Sequence, residues 1–222
     1  MSATLARWNA APGRVLGAWT ALAAAIAALL LLAVWVIARG ATPDPNPMLL
    51  PGLTTPATFS DAVHIFGRNL LVLALHSSAC LAGYLAGKSL PEEAKRYRGA
   101  LRAVHEHAGP LAIAFVGAAT AFSLATQAYV LGNGASTLAA QGGIPPGLLL
   151  VGLLPHAVPE LIALFLPLAA WLLASRRRQW DELLAATVVT TAIALPLLAI
   201  AALLEVYVSP HVVLWLRSLH FV

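Results

Sequence analysis

Five long apolar stretches decide what this chain can fold into. They cover about residues 15–38, 62–87, 110–131, 147–174 and 183–208, and each reaches the roughly 20 residues a helix needs to cross a bilayer core. Backbone N–H and C=O groups find no partner in hydrocarbon, so a spanning segment closes its bonds within itself as a helix. The sequence therefore predicts an all-α integral membrane bundle of about five transmembrane helices, in one domain over residues 1–222. A water-soluble fold fails on burial. Of the 222 residues 60% are hydrophobic and 10% charged, more apolar side chain than the interior of so short a chain can enclose.

The charges carry topology. The formal net charge is +4, but the basic residues sit in short runs between apolar stretches and form no stripe for nucleic acid, which is excluded as a partner. With the N-terminus in the cytoplasm, Arg7, Arg14, Arg176, Arg177, Arg178 and the five Lys and Arg residues of the 88–109 loop fall inside. Only Arg39, Arg68 and Arg217 fall outside. This bias predicts a multi-pass protein of a bacterial inner (plasma) membrane, with its C-terminus outside and residues 211–222 resting at the outer interface on Trp215. The first apolar stretch is longer than the 7–15 residues of a signal peptide core, so it is expected to be a retained helix. Cys80 stands alone, which excludes a disulfide framework and a cysteine-based metal site.

Prolines punctuate the rest. Pro43, Pro45, Pro47, Pro51 and Pro56 predict an extended, irregular link after the first span. Pro155 and Pro159 fall inside a fourth stretch too long for one straight crossing, so a broken helix is expected there. Asn133 and Gly134 predict a turn at the exit of the third span. Pro91, with Glu92 and Glu93 behind it, looks like a helix start in the cytoplasmic loop. Ala79, Gly83 and Gly87 recur every four residues, a spacing that lets helix backbones approach closely in lipid, either within the chain or with a second copy as a homodimer.

Ionisable groups within spans are costly and mark candidate sites. Under the predicted topology His64, Arg68, Asn69, Gln127, Asn133, His156, Glu160, Glu205 and His211 all fall toward the outer side. His156 and Glu160, four apart, share one helical face. The set suits a structural polar network with Arg68, contact with a ligand or partner protein, or a zinc-type site of His156, Glu160, Glu205 and His211. No cofactor is required, and HAVPE is not a zinc protease motif. His76 is expected to bond a neighbouring helix, and His105 and His107 to be solvated. Nothing resembles a nucleophile elbow, a phosphate loop or a serine triad, so the reading leans away from an enzyme.

Four segments carry a family resemblance: FSDAVHIFGRN (residues 59–69), LGNG (131–134), LLPHAVPEL (153–161) and AALLEVYVSPH (201–211). In this order they resemble the stage II sporulation protein M family of polytopic membrane proteins. The resemblance implies motif residues at Asn69, Asn133, Gly134, Pro155, His156, Glu160 and Glu205, with Ala157 where the family usually has glycine. It implies a scaffold in cell-envelope remodelling, positioning other membrane or envelope proteins without turnover. Two other classes stay open: a transporter or permease subunit with a polar cavity at the broken fourth helix, and an intramembrane metal hydrolase.

Overall fold

A computed structural model describes residues 2–220 of the chain. Met1, Phe221 and Val222 lie outside the described residues, the last two at the end of the expected interfacial segment. The described residues form helices α1 (Ser2–Asn9), α2 (Pro12–Gly40), α3 (Phe59–Tyr84), α4 (Leu90–Ala94), α5 (Ala100–Gly142), α6 (Pro146–Arg176), α7 (Leu183–Tyr207) and α8 (Ser209–His220), with no strand among them. Five helical segments are long and apolar enough to cross a membrane.

Local chemistry explains where these helices begin and turn. Pro12 opens α2 at a position whose N–H would be unbonded in any case. Thr58 and Asp61 cap α3 reciprocally: Asp61 N–H donates to Thr58 Oγ1, and the Thr58 N–H donates to the Asp61 carboxylate at 2.9 Å. The proline-rich link between α2 and α3 is irregular and tied to the end of α5. Asp44 N–H donates to Thr137 Oγ1 at 3.0 Å, and Ser136 Oγ to the Ala41 carbonyl at 2.9 Å. Gly52 turns the link with φ +78°, a left-handed conformation natural to glycine, where a Cβ would also meet the Val206 carbonyl at 2.6 Å.

Past Tyr84, α3 continues through a π-helical turn (Leu85–Ser89) into α4. A positive φ at Gly99 then starts α5. α6 is the hub and packs on α2, α3, α5, α7 and α8. Of its most apolar window 61% is buried, against 6% for α5. α2 presents Trp19, Ala23, Ala27, Leu30, Val34 and Ala38 inward, a single stripe at three- and four-residue spacing. Its opposite face, with Leu29, Leu32 and Val36, is open to lipid. α1 folds back through an edge-on contact of Trp8 with Trp19, ring centroids 5.0 Å apart. Lys88 pairs with Asp181 and Arg7 with Glu182 at the same end of the bundle, where Arg176, Arg177 and Arg178 also lie.

Two expectations need correction. The fourth span is not broken: α6 is continuous through Pro155, Pro159 and Pro167. Each proline removes one i to i−4 bond, and membrane helices tolerate the loss where neighbours satisfy the freed carbonyls. Near Pro167, two side chains of α3 bond to carbonyls of α6. His76 Nδ1 on α3 donates to the Leu164 carbonyl at 2.9 Å, the neighbouring-helix bond expected of it, and Cys80 Sγ donates to the Pro167 carbonyl at 3.2 Å. Nor do Asn133 and Gly134 turn the chain. Helix α5 runs through them to Gly142, with Asn133 Nδ2 donating to the Tyr129 carbonyl at 2.7 Å. It ends instead at Gly143, which has φ +65°.

Candidate functional site

Three helices bring polar groups together at the end of the bundle opposite the arginine cluster. On α3, the inward stripe Ala62, Ile65, Asn69, Leu73 and His76 follows three- and four-residue steps, so Asn69 enters the interior with its apolar neighbours. On α6, His156 and Glu160 stand one turn apart on one face. On α7, Glu205 lies beside the buried Ala201, Ala202 and Val206. The result is a compact group: one ligand atom each of His156, Glu160 and Glu205 all lie within 4.8 Å of one another, and all three residues are half-buried.

A fourth helix completes it. His156 Nδ1 and Ser209 Oγ are 2.7 Å apart, and Ser209, the first residue of α8, is fully buried. This contact needs α8 to lie close on α6, and Gly152, one turn before His156, permits it. A Cβ there would meet Val213 Cγ2 at 2.5 Å and Val213 Cα at 3.1 Å. Gly152 and Ser209 were missed in the sequence. The signal available was a hydroxyl and a proline opening a short amphipathic helix directly after the last span.

Not every polar atom here is paired. Asn69 is 3% exposed and borders the Glu160 carboxylate, yet its Nδ2 makes no hydrogen bond of good geometry. Glu205 Oε2 is enclosed and has no hydrogen-bond partner among the described residues. Arg68 is exposed, and its charge reaches Glu160 and Glu205 without an ion pair to either among the described residues. The arrangement can hold a cation between its carboxylates and imidazole, share a proton between its two acids, or pin α6, α7 and α8 together.

The other predicted residues fall elsewhere. His211 is on the exposed face of α8, with Nδ1 donating to the Tyr207 carbonyl at 2.9 Å, and stands outside the group. Asn133 bonds within α5, where Gly132 packs on Ile37 of α2 and Gly134 lies near Met48 of the link. Gln127 donates to Ser123 in its own helix, and His64 is exposed. His105 and His107 bond back to the carbonyls of Leu101 and Ala103. Ala79 is buried, Gly83 faces Trp171 of α6 and Leu183 of α7, and Gly87 lies against Trp180.

Five spanning helices, four of them packed around the buried α6, define a multi-pass α-helical membrane protein. Residues 24–210 match the model of the family described as stage II sporulation protein M, so the chain belongs to that family. No curated protein and no solved structure matches it significantly.

Proposed function

We propose that this protein is a non-enzymatic membrane scaffold that positions partner proteins, in keeping with a role in cell-envelope remodelling. One observation supports the reading best: α5, the longest helix at 43 residues, leaves nearly all of its span uncovered. Along the uncovered face Phe115, Phe122 and Tyr129 recur every seven residues beside Ala114, Ala118, Ala121 and Ala125. Large side chains next to small ones give the ridges and grooves through which helices associate in lipid, where van der Waals packing replaces the hydrophobic effect. The ten-to-three division of basic residues between the ends favours a cytoplasmic N-terminus and an inner-membrane location. The transporter reading rested on a discontinuous fourth helix, and α6 is continuous.

The test is partner retention. The protein is released from native membranes into nanodiscs and weighed by native mass spectrometry, as wild type and as Ala118→Leu, which fills the groove. The scaffold reading expects a stable complex with another protein or a second copy, lost in Ala118→Leu while the chain stays folded. A lone chain in the wild type, or a complex indifferent to Ala118→Leu and Ala121→Leu, contradicts it.

A further inference from the structure

We propose that His156, Glu160 and Glu205 form a zinc-type divalent-cation site that clamps α7 and α8 onto α6. The inference does not depend on the scaffold reading. It starts from the donor set, one imidazole and two carboxylates from two helices, with one ligand atom of each inside a 4.8 Å span. A tetrahedral zinc ion with bonds near 2.1 Å asks for ligand separations of about 3.4 Å. On binding, the three side chains would turn inward to bring their ligand atoms to that separation.

Electrostatics favours an occupant. Two carboxylates side by side in the bundle interior repel, and the exposed Arg68, whose charge reaches both, makes no ion pair with either among the described residues. Glu205 Oε2 is an enclosed acceptor without a donor, which a cation would satisfy. Asn69, 3% exposed with Nδ2 unbonded, borders Glu160. Amide orientation is set by the surrounding network, so a half-turn would offer Oδ1 as a further oxygen ligand.

The surroundings of His156 fit the same role. Histidines that bind metal donate the other ring N–H to a nearby oxygen, which fixes the tautomer and the ring plane. Ser209 Oγ, 2.7 Å from Nδ1, is such an oxygen, leaving Nε2 with the lone pair. Mixed nitrogen and oxygen ligation selects zinc over magnesium and calcium, which take oxygen alone. The clamp would then join the ends of motifs about fifty residues apart in the chain.

The test uses the full chain in nanodiscs, stripped with chelator and dialysed against zinc, magnesium or calcium. Bound metal is measured by mass spectrometry and the thermal midpoint by intrinsic fluorescence. The proposal expects one zinc per chain, a raised midpoint, and no response to magnesium or calcium. Glu205→Gln should abolish retention, and Ser209→Ala should weaken affinity by about 10-fold or more while all three ligands remain. X-ray absorption of the wild type, which needs no variant to fold, should show one imidazole among oxygen ligands. Absence of bound zinc, equal zinc in Glu205→Gln, or a shell of two or more imidazoles from surface histidines would overturn it.

Discussion

Replacing Gly83 with alanine isolates the packing of α3 against the hub. A Cβ at Gly83 would stand 2.7 Å from Trp171 Nε1, 2.9 Å from Trp171 Cδ1 and 2.9 Å from Leu183 Cδ1. Real carbon contacts do not come that close, and both neighbours are buried, so something must shift. Overpacking of this kind costs about 1–3 kcal/mol. Against it, alanine gains roughly 0.5–1 kcal/mol over glycine inside a helix. Gly67, on the same helix with nothing within 4 Å, receives the gain without the cost. The two alanines should therefore differ by about 1–3 kcal/mol, since the propensity term cancels. Gly83→Val should lie beyond both. Steric-trapping or detergent unfolding in bicelles reads the difference, and Trp171 emission should shift in Gly83→Ala alone. Equal stability of Gly83→Ala and Gly67→Ala would refute the close approach of α3 to α6 and α7.

His76→Leu removes the donor to the Leu164 carbonyl beside Pro167 and should cost about 1–2 kcal/mol in the same unfolding assay, the range for a hydrogen bond between membrane helices. Arg7→Ala should cost well under about 1 kcal/mol and lose even that in high salt, because the 3.3 Å contact with Glu182 sits on an arginine 63% exposed. Cysteines placed at Asn46 and Gln179 in a Cys80→Ala background should react with an impermeant maleimide from opposite sides of intact cells and inverted vesicles, Asn46 from outside. Labelling of both from one side would contradict the alternation of the helices.

The five spans were legible because apolar run length reports directly on crossing, and the polar residues between the runs mark where each crossing ends. The same logic placed His156, Glu160 and Glu205 toward one end, and helical spacing put the first two on one face. Hydropathy could not show how far α5 extends, since a helix keeps forming backbone bonds past the point where charged residues such as Arg102 begin. Asn133 and Gly134 read as a turn because their local preference is for one. Tertiary bonds from Ser136 and Thr137 to the proline-rich link hold that stretch helical instead. The prolines of α6 overstated the break because residue type alone does not show whether a packed membrane helix keeps its course past a proline, as α6 does at Pro155, Pro159 and Pro167. His211 and Ser209 are two apart in sequence but point to different sides of α8, and only the packing of Val213 on Gly152 decides which one meets His156.

The meeting of α6 and α7 at the polar group underlies the whole account, and a cross-link tests it most directly. Glu160→Cys and Glu205→Cys are combined with Cys80→Ala, and a protease site is inserted after Arg178, in the exposed turn between the two helices. Native membranes are treated with a short bis-maleimide and then with protease. Helices in contact pack about 8–10 Å apart, so the account predicts that the two halves stay joined on a denaturing gel. Halves that separate after cross-linking, in membranes where each single cysteine reacts, would contradict it.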